Sequence, residues 1–411
     1  MIKALSSILV VIIGIVFTCC DTNPVSPTAR ELTVLEKQLV QSDNKFGLKL
    51  FKEIVKEEKD TNIFISPLSV SMALGMTLNG ANGATKEAME KTLELAGMTS
   101  DEINQSYQSL IELLTQLDPK VIFDIANSIW YRQEWSFKED FININKTYFD
   151  AVVRALNFND PNSVNIINTW VKTNTNGKID KIVDQIDPEI VMFLINAIYF
   201  KGTWTYEFDQ ELTRDELFTL SDGSQKMSKM MHLTGDLPYF ENEDFQALDL
   251  PYGDAGFSMT ILLPKSQTKI DALIADFSQQ NWEQWINSFS KQAVVLSFPK
   301  FQLEYAIPLK EVLKVLGMAI AFEPYQADFS NMYTGPQNLY ISKVKHKTFV
   351  EVNEEGTEAA AVTSVEVGAT SVGPTGIAMR VDHPFVFVLR ENHSQTILFI
   401  GKIVEPNSSD N

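Results

Sequence analysis

Apolar side chains recur with helical spacing in the first quarter of the chain. Between residues 46 and 54 the bulky apolar residues fall on one face of a 3.6-residue period, which predicts an amphipathic helix. The segment 71–78 is apolar with small residues, and 85–95 alternates charged residues around apolar ones, so both predict helices. A later helix is predicted over 308–316, with Pro308 in its first turn.

Strand-like segments dominate the rest of the chain. Short runs rich in β-branched and aromatic residues predict strands at 193–200, 246–250, 259–263, 294–298 and 385–389. Helices followed by mostly antiparallel-looking strands indicate an α+β fold. Because no repeat and no Gly/Ser-rich linker interrupts the sequence from Glu31 until residue 368, we expect one large domain.

The charge excludes several function classes. Of 411 residues, 34 are basic and 53 are acidic, which gives a formal net charge of -19. Such a surface is repelled by nucleic-acid phosphates and anionic lipids, and the densest basic cluster, at Lys343, Lys345 and Lys347, is too short to reverse this. We therefore expect no nucleic-acid partner.

The first nineteen residues have the pattern of an export signal. Lys3 precedes a short apolar run over 4–17, too short to span a membrane comfortably. A plain signal peptide usually ends in small residues, which are missing here, and the sequence instead resembles a loose bacterial lipoprotein signal with Cys19 or Cys20 as the lipidated residue. Residues 20–34 then form a tether. We expect an exported protein that is lipid-anchored to a bacterial membrane or cell surface, or otherwise secreted, with no other membrane contact.

The motifs of common enzymes are missing from the sequence. No thiol follows Cys20, and we find no Gly-x-Ser-x-Gly, HExxH, Walker or GxGxxG motif. The Asn79–Ala84 stretch lacks a phosphate-binding lysine and predicts a turn between helices. Glu354 and Glu355 are adjacent, and we expect both to be solvated rather than an acid–base pair. The sequence therefore predicts no enzyme, metal or cofactor.

The segment between Phe349 and Pro384 has an unusual composition. From Gly356 to Gly376 it contains no aromatic or basic side chain. With a period of two, every second residue from Thr357 to Val367 forms one face that is entirely uncharged, and both charged residues, Glu358 and Glu366, fall on the other face. This favours a chain that can be either loop or strand. The alternative interpretation is a mobile surface loop whose alternation is accidental.

At this point the sequence closely resembles the serpin family, over about residues 35–407. The matching motifs occur in the family's order at 62–75, 79–87, 167–178, 196–204, 298–301, 351–361 and 382–387. The resemblance implies one α+β domain with three β-sheets and eight or nine helices. It further implies that residues of about 354–381 form an exposed reactive-centre loop.

The resemblance also implies a function. A serpin of the inhibitory kind is an irreversible suicide substrate of serine, and in some cases cysteine, endopeptidases, and it traps the protease as a covalent acyl complex when the cut loop inserts into the central sheet. That movement needs a hinge of short side chains without proline, and the stretch from Gly356 to Ala361 has that form. The whole hinge implied by the resemblance consists of Glu354, Glu355, Gly356, Thr357, Glu358, Ala359, Ala360 and Ala361. The alternative is a non-inhibitory serpin, a binding module that is cut as an ordinary substrate.

Counting fifteen positions from Gly356 places the reactive bond between Thr370 and Ser371. A shorter loop would move it to Gly373–Pro374, where proline resists cleavage. Because the loop has no Arg or Lys before Arg380, we expect an elastase-like or subtilisin-like target rather than a trypsin-like one.

Other matched positions imply structural roles. Trp204 corresponds to a residue near the point where the loop enters the sheet. Some members of the family bind glycosaminoglycans through a basic helix, and such a cofactor is not expected here because the corresponding stretch, 99–118, contains no Lys or Arg. The protein is expected to be monomeric. A polar cluster beneath the opening strands would consist of Ser66, Ser69, Asn196 and His346.

Overall fold

The computed structural model describes residues 30–266, 270–357 and 376–407. This part of the chain contains nine α-helices, which are α1 (Val34–Glu57), α2 (Pro67–Leu78), α3 (Gly83–Thr92), α4 (Ser100–Gln116), α5 (Glu139–Phe149), α6 (Asn162–Asn174), α7 (Ile270–Ala275), α8 (Gln279–Asn287) and α9 (Lys310–Leu313). None of these helices is long and apolar enough to cross a bilayer.

The same residues form fifteen strands. They are β1 (Ile63–Ile65), β2 (Val121–Arg132), β3 (Val152–Leu156), β4 (Met192–Thr203), β5 (Arg214–Thr219), β6 (Gln225–Glu241), β7 (Phe245–Tyr252), β8 (Phe257–Pro264), β9 (Ser290–Pro299), β10 (Phe301–Pro308), β11 (Lys345–Val352), β12 (Gly356–Thr357), β13 (Ile377–Arg380), β14 (Phe385–Glu391) and β15 (Ile397–Ile403). All five predicted strands are present.

Hydrogen bonding joins these strands into a six-stranded and a nine-stranded network. The six-stranded sheet has the order β10-β11-β12-β4-β2-β3. In the nine-stranded network, the long strand β6 belongs to two sheets. Its residues 230–239 pair with β9, and its residues 239–241 pair with β7. The long strand therefore connects two sheets, β5-β6-β9-β13 and β1-β15-β14-β8-β7-β6. Together with the six-stranded sheet these make three, and the α+β prediction is confirmed.

Local backbone chemistry explains where the early helices begin and end. Thr33 and Glu36 form a capping box at the start of α1, in which each side chain accepts from the other residue's backbone N–H. The helix predicted over 85–95 lies at Gly83–Thr92, because Glu94 has a left-handed φ of 60° that ends helical hydrogen bonding.

The helix predicted over 308–316 is only partly correct. Pro308 is the last residue of β10 rather than a first-turn residue, and α9 starts at Lys310. Pro308 pairs with Lys345 at the edge of the six-stranded sheet, a position where a missing N–H is tolerated.

A stack of aromatic rings connects the edge of the nine-stranded network to the core. Phe64 on β1 lies 5.0 Å from Phe399 and 5.5 Å from Phe387, ring centre to ring centre, with nearly parallel planes. Its side chain is buried, and its carbonyl accepts a 2.5 Å hydrogen bond from the Thr348 hydroxyl on β11. Phe64 thus contacts both sheets, just before α2 begins.

We predict that Phe64→Ala lowers the free energy of unfolding by about 3–5 kcal/mol, because it removes a buried ring and leaves a cavity. Urea unfolding of the full chain measures the change. Tyr325→Ala is the matched control, since that ring is 97% exposed and its loss should change the midpoint little. Equal midpoints for the two variants would contradict the assignment.

Candidate functional site at the open central sheet

The six-stranded sheet is open between β4 and β11. Both strands run antiparallel to the two-residue strand β12 and hence parallel to each other, and β12 separates them. Beyond β12, no described residue pairs with the facing edge of either strand. A cavity of about 700 Å³ occupies this region, lined by residues 192–196 at the start of β4 and by 338–347 leading into β11. We call this gap the slot.

The turn between β11 and β12 is held by Asn353. Its side-chain Oδ1 accepts hydrogen bonds from the backbone N–H groups of Glu355, at 3.0 Å, and Gly356, at 3.2 Å. The Asn353 N–H donates to the Gly356 carbonyl across the turn at 3.0 Å. This Asx turn reverses the chain, so that Thr357 pairs with Val352 and the hinge begins to enter the slot.

Trp204 holds the same turn from the β4 side. Its backbone N–H donates to the Glu355 carbonyl and its indole Nε1–H donates to the Asn353 carbonyl, both at 2.9 Å. The ring stacks on Tyr252 with centres 4.3 Å apart. The Tyr252 and Thr357 hydroxyl oxygens are 2.6 Å apart and buried. Trp204 and Tyr252 therefore define where the hinge enters the sheet.

Two glycines allow β12 to approach β4 closely. Gly356 pairs with Thr203, and Thr357 pairs with Gly202. A Cβ atom on Gly356 would lie 2.0 Å from the Gly202 carbonyl oxygen, which is far inside van der Waals contact. A Cβ on Gly202 would lie 2.9 Å from the Tyr252 ring. Position 356 therefore requires glycine for steric reasons.

Glu354 corrects one expectation from the sequence. We expected it to be solvated beside Glu355, yet only 6% of the residue is exposed. Its carboxylate accepts a 2.9 Å hydrogen bond from the Thr213 hydroxyl and lies 3.5 Å from the Lys300 ammonium group. The neighbouring backbone is also fixed, because the Phe208 N–H donates to the Glu354 carbonyl at 2.9 Å. The base of the hinge is thus anchored by a buried carboxylate.

The surface beside this anchor is acidic. Burial and the nearby charge of Glu355 raise the pKa of Glu207. Glu355 itself accepts a long, 3.4 Å hydrogen bond from the Gln210 amide. Exposed Asp209 and Glu211 follow in the same loop. Acidic side chains therefore lie close to the base of the hinge.

The four residues of the expected polar cluster do lie together, at the start of α2. Ser66 is the N-cap of α2, and its Oγ accepts from the Ser69 N–H at 3.3 Å. The backbone N–H of Ser66 donates to His346 Nε2 at 2.9 Å, and the Ser69 hydroxyl donates to the Asn196 carbonyl at 3.4 Å. The start of α2 thus contacts both strands that border the slot.

The cluster is incompletely hydrogen-bonded. The Asn196 amide donates to Asn127 Oδ1 on β2 at 2.8 Å, but Asn196 Oδ1 is buried and has no hydrogen-bond partner among the described residues. On the other strand, burial lowers the pKa of His346 to about 4, so the imidazole is neutral and accepts from Ser66. Strand movement across the slot would change the partners of both groups.

Several predicted residues fall outside the described ranges. These are hinge residues Glu358, Ala359, Ala360 and Ala361, reactive-bond residues Thr370 and Ser371, and lipidation candidates Cys19 and Cys20. Sequence reasoning missed Asn127, Tyr252 and Asn353. Only Asn353 had a signal, because it lies within a matched motif; the other two are identified by contacts between distant parts of the chain. Within residues 30–266, 270–357 and 376–407, no cluster of His, Cys, Asp or Glu has a metal-binding arrangement.

Comparison with known proteins identifies the family. The family model described as Serpin (serine protease inhibitor) matches residues 41–406. This chain therefore belongs to the serpin family.

Individual relatives match this chain in sequence or in structure over about nine tenths of its length. Serpin B10 of Otolemur garnettii is 36% identical over 397 residues, covering 90% of this chain and 99% of that protein. The native-state structure of the thermophilic serpin tengpin is 34% identical with a TM-score of 0.83, covering 93% of this chain and 97% of that one. Human thyroxine-binding globulin complexed with its hormone is 26% identical with a TM-score of 0.83, covering 91% and 100%.

We predict that Gly356→Ala prevents β12 from pairing with β4, because the added Cβ collides with the Gly202 carbonyl. Hydrogen exchange at Thr357 and Trp204 should become at least tenfold faster, since both amides belong to the turn and its pairing. Gly235→Ala on β6 is the control, because no atom lies within 4 Å of its added Cβ. Unchanged exchange in the Gly356 variant would show that the hinge is not held by this contact.

We predict that His346 makes the protein less stable in acid. The pKa in the folded protein is depressed below the usual 6.5, so this residue's contribution is complete above pH 6.5 and is lost as the pH falls towards 4. His346→Gln, which does not titrate, should remove up to about 3 kcal/mol of this dependence. Urea midpoints between pH 4.5 and 7.5 measure it. The control is exposed His393→Gln, and parallel pH profiles for wild type and His346→Gln would refute the assignment.

Proposed function

We propose that this protein is an irreversible suicide-substrate inhibitor of serine or cysteine endopeptidases. The observation that supports this most directly is the slot, whose mouth already holds two residues of the protein's own hinge. Gly356 and Thr357 pair with β4 on one side, and Thr357 pairs with β11 on the other. A chain that continues from Thr357 has two strand edges available for pairing.

The chemistry begins as ordinary proteolysis. The nucleophile of the protease attacks the carbonyl carbon of Thr370, and the Thr370–Ser371 peptide bond breaks. The amine of Ser371 leaves with a proton supplied by the protease's general acid, and Thr370 remains as an ester or thioester on the enzyme. Water would normally hydrolyse this acyl-enzyme. Trapping requires that the loop moves the protease before that second step.

Chain length explains why cleavage triggers the movement. The intact loop is attached at Thr357 on β12 and at Gly376 beside β13, which pairs with β9 in another sheet. To fill the slot while uncut, the chain between these two attachment points would have to both enter the slot and return. After cleavage, residues 358–370 are free at one end, and they are numerous enough to pair along Met192–Lys201, the part of β4 not yet paired with β12. Ten positions at 3.3 Å each give a path of roughly 33 Å.

Insertion can be favourable because the new strand is a central one. Each inserted residue can use its N–H and its C=O with two neighbouring strands, and each bond contributes roughly 0.5–1.5 kcal/mol net. Ordering the backbone costs roughly 1–2 kcal/mol per residue. An edge strand would gain about half of these bonds and nearly break even. Insertion between β4 and β11 is therefore more favourable in free energy than the addition of the same residues at the edge of a sheet.

The target class follows from the loop sequence. With Val367, Gly368, Ala369 and Thr370 before the expected bond, a protease with a small apolar pocket fits, of the elastase-like or subtilisin-like kind. We infer that the protein acts as a monomer outside a bacterial cell, lipid-anchored through Cys19 or Cys20 or otherwise secreted. This part of the proposal rests on the N-terminal sequence alone.

The second candidate function is a non-inhibitory binding module. It is favoured by the similarity to thyroxine-binding globulin, which has been solved in complex with thyroxine. The two functions differ in the fate of the cut loop, because a binding module would be cleaved without retaining the protease.

We predict that an elastase-like or subtilisin-like protease forms a covalent adduct through Thr370, and that Thr357→Arg abolishes the adduct but not cleavage. Thr357 is 3% exposed and its hydroxyl meets Tyr252, so a buried arginine would stall insertion at its first step. Denaturing gels with mass spectrometry distinguish the adduct from the cut product. The yield of adduct should fall at least tenfold.

Thr61→Arg makes the same change at an exposed site away from the slot and should leave the adduct yield unchanged. Cleavage of the wild type without any adduct would instead support the binding module. Equal adduct yields from wild type and Thr357→Arg would overturn the insertion step.

A further inference from the structure

A carboxylic acid is enclosed between three helices on the side of α2 away from the open strands. Asp43 lies on α1 and is 2% exposed. Its Oδ1 accepts a 2.9 Å hydrogen bond from the Tyr107 hydroxyl on α4. Ser71, in the middle of α2, is also fully buried and close to the carboxyl group. None of the four polar cluster residues of the slot is part of this group.

The enclosure lacks a positive charge. In the described structure, Asp43 Oδ2 has no hydrogen-bond partner, and neither has the Ser71 hydroxyl. The facing groups are Tyr107 from α4, Ser71 from α2 and, next to the Tyr107 ring, Phe149 from α5. The nearest cations along α1, Lys45 and Lys49, are about half exposed and bind Glu94 instead. An ionised Asp43 would therefore be a buried charge with no cation beside it, and only the Tyr107 and Ser71 hydroxyls could donate to it.

A neutral acid suits these surroundings better. Protonation lets one carboxyl oxygen donate a hydrogen bond, and Ser71 is an acceptor nearby that lacks a partner. Burial also raises the pKa of Asp43 to about 7, against the small opposing effect of its hydrogen bonds.

The helix that carries Ser71 also borders the slot. Ser69, Val70, Ala73, Leu74 and Thr77 of α2 line the cavity, and Ser66 at its start contacts His346. A charge that appears behind α2 can be relieved if α2 moves away from α1 and α4 or if water enters between them. Either change loosens the helix that supports the open strands.

We propose that Asp43 is a proton-binding site that keeps α2 packed when neutral and loosens α2, and with it the base of the slot, when it ionises. The proton binds the folded protein more tightly than the unfolded chain, so stability falls as the pH rises from about 4 to about 7 and then levels off. This inference does not depend on inhibition of a protease.

Hydrogen exchange on the intact full-length protein tests the proposal. After correction for intrinsic exchange rates, protection of the α2 amides should fall tenfold or more between pH 5 and pH 8 in a His346→Gln background, where the opposing titration of His346 is removed, because each unit in the titration range changes the equilibrium up to tenfold. When Asp43→Asn is added to this background, the corrected protection should change less than twofold. The control Glu57→Gln, at the exposed end of α1, should leave the behaviour of this background unchanged.

A second variant keeps the test decisive if Asp43→Asn folds poorly. Tyr107→Phe removes the 2.9 Å hydrogen bond from Tyr107, which favours the ionised acid, so the midpoint of the transition should move about one pH unit upward. Infrared spectra at pH 6 should show the carbonyl band of a protonated carboxylic acid, which is lost above pH 8. A wild type without that band, or a Tyr107→Phe transition at an unchanged or lower pH, would overturn the proposal.

Discussion

The missing strand between β4 and β11 is the constraint on which the rest of the structure depends. Two parallel strands face each other across a slot, and among the residues that the structure describes only Gly356 and Thr357 of β12 lie between them. Backbone N–H and C=O groups along such edges gain energy when a strand pairs with them. Within the described residues the sheet therefore has two strand edges without a partner along most of their length, and Gly356 and Thr357 place the chain that follows them next to both edges.

The hinge combines an anchored base with short side chains beyond it. Glu354 is fixed by Thr213 and Lys300, and Asn353 closes the turn, so the chain enters the slot in one register. Beyond the turn the requirement changes, because the Gly356 backbone passes directly against Gly202. Large polar side chains serve as anchors before the turn, and small ones allow entry after it. This division explains why the composition of the sequence changes so abruptly near residue 356.

Periodicity predicted the class of fold and the position of most elements, because burial of one face imposes the same spacing wherever an element lies in the sequence. It placed β7 and β8 within one or two residues. Periodicity failed where a tertiary contact determines the structure. Pro308 lies in an edge strand instead of a helix, and Glu354 is buried by residues far away in the chain. Tyr252 and Thr357 are in contact although they lie 105 residues apart in the sequence, and no local sequence pattern predicts such a contact.

The helix α2 connects the two buried titratable groups of this region. At its start, neutral His346 accepts from Ser66, and at its middle Ser71 faces Asp43. Their effects on stability have opposite signs, because the pKa of His346 is lowered and the pKa of Asp43 is raised. Between about pH 4 and 6.5 the acid favours the folded state less as the pH rises, while the imidazole favours it more. The pH response of the helix that supports the slot is therefore the difference between two opposing titrations, and removing either group exposes the other.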